Sequence, residues 1–289
     1  MKSIGLWKML IGGLLALWSA TAAAQELVHF RSLDDQQTVL DGYLYRPPGD
    51  GPHPAIVGLH GCSGMFVKAT GQMTGLYRAW AAELSHRGYV VLLVDSFGPR
   101  QHGEMCSVGG FDLSLYRDRP KDAYGALAYL QAQDFVRADR VGAIGWSQGG
   151  GVTLFSIGTP SRGRPAGLPP ERDFRAAIAF YPGSCADDRQ PANWTTTVPL
   201  LVLIGVADVW TPAAPCKTFV DGAAARGAPV QIVLYPGAYH GFDAPNVTQR
   251  ALPDYRTRAG VVPIVGTDPA ARDDALQRVP AFLASYLSR

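Results

Sequence analysis

Short apolar segments that alternate with helical segments are the feature that most constrains how this chain can fold. The apolar runs carry few polar side chains, and Tyr89-Val-Val-Leu-Leu-Val94 is the clearest case. Strands that are apolar throughout are typical of a parallel sheet covered on both faces by helices. We therefore predict an α/β fold with a mostly parallel central sheet flanked by helices. Its predicted strands are Ala55–Leu59, Tyr89–Val94, Val141–Trp146, Ala176–Tyr181, Leu200–Ile204 and Val230–Tyr235.

The segments around these strands complete a single domain. Leu27–Phe30 and Thr38–Tyr45 alternate between polar and apolar residues, which predicts an opening hairpin. The chain has 289 residues, 47% of them hydrophobic, enough for one sizeable core, and we predict one domain over residues 25–289. Helical spacing predicts helices at Leu76–Arg87, Pro120–Gln133, from near Gln148, Ala214–Arg226 and Ala270–Leu287.

The first 24 residues have the pattern of an export signal. Lys2 and Lys8 give a positive start, Met9–Trp18 is apolar, and Ala22 and Ala24 fit an A-x-A cleavage rule. The alternative is an uncleaved membrane anchor, but about ten apolar residues are too few to span a bilayer comfortably. We expect residues 1–24 to be removed and the mature protein to be periplasmic or secreted, with no membrane association.

Composition narrows the classes of partner. The net charge is +2 and arginine is spread along the chain, so no basic patch argues for nucleic acid. An exported chain with an even number of cysteines is expected to form disulfides, and four cysteines allow three pairings. No C-x-x-C pair occurs, which argues against a metal site. The four candidates are Cys62, Cys106, Cys185 and Cys216.

Gly145-Trp-Ser147-Gln-Gly149 places a serine between a predicted strand and a predicted helix. The pattern G-x-S-x-G in that setting is typical of a sharp turn that exposes a nucleophilic hydroxyl. The same glycines also occur in turns without chemistry. Ser147 is the candidate nucleophile, provided that a base and an acid converge on it.

His240 and Asp208 are the candidate base and acid. Both follow predicted strands, and the order Ser147, Asp208, His240 is the order found in α/β-hydrolases. Asp243 and Asp95 are alternative acids. Asp243 is close to His240 in sequence, and Asp95 is expected to hold its own loop.

An oxyanion that develops at the substrate carbonyl needs two hydrogen-bond donors. We expect the backbone N–H groups of Gln148, directly after the serine, and of Cys62, in His60-Gly61-Cys62. The alternative for the second segment is a tight turn that binds nothing.

The chain resembles the dienelactone hydrolase family of α/β-hydrolases. The resemblance rests on motifs that span most of the mature chain in order: His60-Gly61, Asp95-Ser-Phe-Gly-Pro-Arg100, Gly145-Trp-Ser-Gln-Gly-Gly150, Tyr181-Pro-Gly183, Gly205-Val-Ala-Asp208 with Pro212, and Tyr235-Pro-Gly-Ala-Tyr-His-Gly-Phe242. It implies the triad of Ser147, Asp208 and His240, and hydrolysis of esters or lactones without a metal or organic cofactor.

Two departures from the cytoplasmic archetype of the family indicate an exported serine branch. The archetype has a cysteine nucleophile and a glutamate after the third strand, whereas this chain has Ser147 and no carboxylate in His-Gly-Cys-Ser-Gly. Within this resemblance, Cys62 and Cys106 belong to loops on the active-site rim and are expected to pair. Cys185 and Cys216 form the second expected pair.

Residues on the loops above the sheet are expected to select the substrate. Residues 97–115 and 243–267 are the predicted walls. Arg100 is a candidate for binding a substrate carboxylate, with a surface ion pair as the alternative. Trp146, Trp210, Tyr239 and Phe242 are candidates for an apolar pocket, with ordinary core packing as the alternative.

These expectations describe a serine hydrolase that cleaves small carboxylic esters or lactones through an acyl-enzyme. A serine peptidase uses the same triad on the same fold, although it usually carries a propeller or cap that this length does not accommodate. A binding protein that kept the fold without the chemistry is the other alternative.

Overall fold

The computed structural model describes residues 25–185, 189–257 and 259–288, and the expected signal peptide lies outside them. Eight strands form one sheet: β1 (Gln25–Arg31), β2 (Val39–Tyr45), β3 (His53–Leu59), β4 (Val90–Asp95), β5 (Val136–Trp146), β6 (Ala177–Phe180), β7 (Leu200–Gly205) and β8 (Val230–Tyr235). Their order is β1-β2-β4-β3-β5-β6-β7-β8. The hairpin β1–β2 joins β4 antiparallel, and every pairing from β4 to β8 is parallel. The predicted mostly parallel sheet is confirmed.

Five helices pack against this sheet: α1 (Gly75–His86), α2 (Leu113–Gln131), α3 (Gln148–Ile157), α4 (Ala213–Ala225) and α5 (Pro269–Leu287). Every residue of β4, β6 and β7 is buried, as a sheet covered on both faces requires. Two short strands, β9 (Arg250–Ala251) and β10 (Ile264–Val265), pair antiparallel outside the main sheet. Among the described residues, no helix is both long and apolar enough to cross a bilayer.

Helix α2 begins seven residues before the predicted start at Pro120. Asp112 caps it by accepting hydrogen bonds from the backbone N–H groups of Ser114 and Leu115. Proline usually marks the start of a helix because it has no N–H to donate, but here Pro120 lies inside the helix. The additional turns carry Tyr116 and Arg119 into the buried interior beside the serine turn.

The carboxyl-terminal ends of the parallel strands gather the chemistry-bearing residues at one edge of the sheet. Ser147 follows β5, Asp208 lies beyond β7 and His240 lies beyond β8. Parallel topology therefore places at the same edge of the sheet residues that are up to 93 positions apart in the chain, from 147 to 240.

Candidate active site

Ser147 occupies a strained turn between β5 and α3. Its backbone has φ 55° and ψ −115°, a conformation that costs energy for a residue with a side chain. The flanking glycines are required by space, because a Cβ at Gly145 would collide with the carbonyl of Gly149, and one at Gly149 with the carbonyl of Leu59. This is the geometry that G-x-S-x-G predicts, and the serine lines a cavity.

Asp208 and His240 are in direct contact. Oδ2 of Asp208 lies 2.7 Å from Nδ1 of His240, and both side chains are buried. Thr211 adds a hydroxyl donor to the same Oδ2 at 2.8 Å, and its backbone N–H donates to Oδ1. Burial by itself raises the pKa of Asp208, but the charge of His240 and these hydrogen bonds outweigh it, so that the pKa is lowered. Asp208 is thus an ionised carboxylate that orients the imidazole.

The two alternative acids are held elsewhere. Both oxygens of the buried Asp243 accept hydrogen bonds, from the indoles of Trp80 and Trp146 and from the hydroxyl of Tyr181. Oδ1 of Asp95 accepts two backbone N–H groups of the loop that follows it. Of the three candidate acids, Asp208 is therefore the one whose carboxylate is hydrogen-bonded to Nδ1 of His240.

Gln148 is the first residue of α3, where a backbone N–H has no acceptor within its own helix. Cys62 lies in the loop after β3. Both residues line the same cavity as Ser147. This places the two expected oxyanion donors beside the serine, and their role as donors stays a prediction.

His60 orients the peptide that carries the Cys62 N–H. Its Nδ1 lies 2.7 Å from the carbonyl oxygen of Gly61, and its Nε2 lies 3.2 Å from the backbone N of Ser96. A neutral imidazole satisfies both, with Nδ1 donating and Nε2 accepting, and burial together with the charge of Arg119 lowers the pKa of His60 well below its usual value. Since C=O and N–H point in opposite directions across a trans peptide, holding the Gly61 carbonyl sets the direction of the Cys62 N–H.

The cavity at Ser147 has a volume of about 670 Å³. Both predicted loops contribute to its wall, through residues 105–108, 111 and 113 and through residues 256, 257 and 259. Two disulfides, Cys62–Cys106 and Cys185–Cys216, also line it, and the expected pairing is confirmed. A cavity of this size suits a small substrate.

Only one of the five predicted substrate-contact residues lines the cavity. Trp210 does so, and its ring centroid lies 4.8 Å from that of His240. Tyr239 is half-buried and lies outside the lining. The predictions for Trp146 and Phe242 are corrected, because both side chains are at most 1% exposed and belong to the core under the site.

The prediction for Arg100 is also corrected. Its guanidinium is bound to the carboxylates of Asp34 and Asp122, at 2.7 and 2.8 Å, and to the carbonyl of Ser96. These partners hold β1–β2, α2 and the loop after β4 together. Arg100 is therefore a structural ion pair and not a substrate contact.

Several residues of the site carried no recognisable sequence signal. Thr211 contacts both Asp208 and His240, and Arg119 binds the side chain of Gln148. Tyr181 belongs to a motif of the resemblance, but the packing of its ring on His240 at 4.4 Å was not predicted. Arg189 and Arg256 line the cavity. In residues 25–185, 189–257 and 259–288, no three His, Cys, Asp or Glu side chains cluster closely enough to hold a metal ion.

The fold and the position of the site are those of an α/β-hydrolase. The model of the dienelactone hydrolase family matches residues 40–287, so this chain belongs to that family. It is a hydrolase of carboxylic esters or lactones.

Two relatives of the chain carry names of different activities, a lactonase and a peptidase. A probable 2-oxo-3-(5-oxofuran-2-ylidene)propanoate lactonase of a Bradyrhizobium species is 26% identical over 215 residues, which cover 69% of this chain and 77% of the relative. Dipeptidyl peptidase 8 of Mus musculus is 30% identical over 123 residues, which cover 41% of this chain and 14% of the peptidase.

Solved structures share the fold. Thermogutta terrifontis esterase 2 phosphorylated by paraoxon matches with a TM-score of 0.65 at 19% identity, over 92% of this chain and 95% of the esterase. A dienelactone hydrolase-like promiscuous phosphotriesterase from metagenomic libraries, P91, matches with a TM-score of 0.64 at 18% identity, over 92% and 99% of the two chains.

Proposed function

We propose that Ser147, His240 and Asp208 form a catalytic triad that hydrolyses small carboxylic esters or lactones through an acyl-enzyme. The observation that carries the proposal is the Asp208–His240 hydrogen bond of 2.7 Å at the sheet edge where Ser147 occupies its strained turn. The lactonase relative and membership of the family support the same class of substrate.

The proposed reaction has two halves. Oγ of Ser147 attacks the carbonyl carbon while His240 accepts the hydroxyl proton, and the carbonyl π electrons move to oxygen, which the N–H groups of Gln148 and Cys62 stabilise. The intermediate collapses, and the alkoxide leaves with the proton from His240. Water then attacks the acyl-enzyme, again giving its proton to His240, and the acid is released with Ser147 restored. In a lactone the alcohol and the acid stay in one product.

The proposed location is outside the cytoplasm, in the periplasm or the medium. The two disulfides support an oxidising compartment, since such bonds are rare where thiols are kept reduced. The proposed signal peptide, residues 1–24, supplies the route. Mass determination of the processed protein tests it, and an N-terminus at Gln25 is expected.

The test of the triad is covalent labelling of the mature protein with a fluorophosphonate probe, followed by peptide mass spectrometry. We expect a label on Ser147 that is lost in Ser147→Ala and in His240→Ala. Hydrolysis of p-nitrophenyl acetate in Ser147→Ala should fall by about 10³-fold or more. A folded wild-type protein without label would favour a binding protein, and an undiminished Ser147→Ala would refute the assignment.

Peptide hydrolysis is the second candidate, because part of the chain is similar to dipeptidyl peptidase 8. The same labelled serine would serve both reactions. Comparison of an ester with the amide of the same acyl group separates them, and we expect turnover of the ester only.

A further inference from the structure

Arg119 has a wholly buried guanidinium that joins two segments of the site. Its Nη1 donates to Oε1 of Gln148 at 2.7 Å, and its Nη2 donates to the backbone carbonyl of His60 at 2.6 Å. Gln148 directly follows Ser147, and the His60 carbonyl lies two residues before Cys62. Arg119 therefore connects the start of α3 with the loop after β3.

Both acceptors of Arg119 are neutral, which is unusual for a buried cation. Its Nε has no hydrogen-bond partner, and no carboxylate of the described residues forms an ion pair with it. Burial lowers the pKa of Arg119 to about 10, which leaves the group charged at neutral pH. The nearby charge of Asp122 opposes part of this fall in pKa, but a buried charge with no directly paired carboxylate is still costly to the folded state.

A carboxylate is present on the same helix but binds another arginine. Asp122, three residues after Arg119, is paired with Arg100 at 2.8 Å. The guanidinium of Arg119 points instead toward the segments that carry the Gln148 and Cys62 N–H groups. A negative charge develops beside those groups only during ester hydrolysis.

We propose that Arg119 is a positioning residue for the oxyanion hole: it sets the spacing of the two donor segments, and its charge favours the oxyanion. The proposal rests on the proposed function, in which the N–H groups of Gln148 and Cys62 are the donors. Arg119 acts through the Gln148 side chain and the His60 carbonyl. The protein interior has a lower dielectric constant than water, so a fixed charge there interacts more strongly with the developing oxyanion than it would in water.

The test compares Arg119→Met and Arg119→Lys with wild type, using p-nitrophenyl acetate as substrate and a trifluoromethyl ketone as a tetrahedral analogue. Arg226→Met is the matched control, because Arg226 also donates to a backbone carbonyl, that of Trp194, but outside the cavity. Thermal unfolding is measured for every variant. The ketone reports on the oxyanion hole, and KM with the melting temperature reports on binding and packing.

We expect Arg119→Met to lower kcat by about 10- to 100-fold and to weaken binding of the ketone by a similar factor. The reason is that the two donor segments lose the side chain that is hydrogen-bonded to both of them. KM should change by less than about twofold, as for an interaction made only in the transition state. Arg119→Lys should recover part of the loss, because an ammonium keeps the charge but cannot bridge both acceptors. Arg226→Met should leave kcat and ketone affinity unchanged.

Two results would overturn the proposal. One is a folded Arg119→Met with kcat and ketone affinity within about twofold of wild type. The other is a loss that appears equally in Arg226→Met and follows the melting temperature, which would make Arg119 a packing residue. If the Met variant does not fold, the Lys variant decides by the same criteria. Failure of the proposed function itself is seen separately, as retained activity in Ser147→Ala with Arg119 intact.

Discussion

The indole Nε1 of Trp146 donates to Oδ2 of Asp243 at 2.9 Å, which ties the residue before Ser147 to the loop that carries His240. Tyr181 donates to the other oxygen of Asp243 at 2.7 Å and packs its ring on His240. Trp80 on α1 is the third donor. The buried carboxylate therefore holds together three parts of the structure that surround the proposed triad.

Replacing Asp243 with alanine should destabilise the fold strongly. Two indole N–H groups and one hydroxyl would lose their acceptor inside the core, and the free energy of unfolding should fall by about 3 kcal/mol or more. Urea unfolding measures this. The exposed Asp254 is the control, and Asp254→Ala should stay within about 0.5 kcal/mol of wild type. Equal losses in the two variants would contradict the role of Asp243.

Asp243→Asn should remove a pH dependence of stability that the wild-type protein shows. Burial raises the pKa of Asp243, although its hydrogen bonds oppose this, so the folded state holds the proton more tightly than the unfolded state. Wild type therefore loses stability as the pH rises from about 4 through the raised pKa, and the variant lacks this loss. Relative to wild type, the variant should gain stability between acid and neutral pH. Unfolding series at several pH values test this, and a parallel pair of curves would argue against it.

Asp208→Asn should lower kcat by about 10⁴-fold with little change in KM. An amide can donate to Nδ1 of His240, which selects the wrong tautomer for a base that faces Ser147. Steady-state kinetics on p-nitrophenyl acetate measure the effect. Thr211→Val is the matched variant: it removes one hydrogen bond to the same carboxylate but keeps the charge, and a loss of about 3- to 10-fold is expected. A larger effect from Thr211→Val than from Asp208→Asn would contradict this assignment.

The two disulfides should differ in their effect on catalysis. They close segments of 44 and 31 residues, so removing either one should cost about 2 to 4 kcal/mol of stability. Among the four cysteines, only Cys62 supplies a backbone N–H that is proposed as an oxyanion donor. The double variant Cys62→Ala/Cys106→Ala should therefore also lose kcat, whereas Cys185→Ala/Cys216→Ala should keep it at a temperature where both are folded. Similar kcat values for the two variants would count against Cys62 as a donor.

Arg256 should favour anionic substrates. It lies exposed on the cavity wall, where Nη1 donates to the carbonyl of Gly260. Arg256→Gln should raise KM for p-nitrophenyl hemisuccinate by about 2- to 5-fold at low salt, since an exposed charge contributes little more than that. KM for neutral p-nitrophenyl butyrate is the control and should not change. The difference in KM for the hemisuccinate between Arg256→Gln and wild type should vanish near 0.5 M salt, at roughly the concentration where charges are screened within a few ångströms.

The local sequence was sufficient to predict the buried strands of the sheet and the turn at Ser147. A run such as Val90–Asp95 has few polar side chains to expose, and it is a buried strand wherever the chain places it. Gly145 and Gly149 are needed because a side chain at either position would meet backbone atoms. The order of Ser147, Asp208 and His240 along alternating strands and helices then predicts their common edge, because parallel strands end at the same side of a sheet.

Which partner a polar or aromatic side chain takes was decided only by the tertiary structure. The sequence predicts that Arg100 contacts the substrate. In the structure its guanidinium is instead bound by two carboxylates that are distant in sequence, Asp34 at 66 residues and Asp122 at 22 residues. The sequence predicts that Trp146 lines the pocket. In the structure its indole lies in the core, where it donates a hydrogen bond to Asp243, 97 residues away. Arg119 lay outside every motif. A strand or a turn follows from neighbouring residues, whereas the acceptor of a buried donor depends on which distant segment the fold brings within 3 Å.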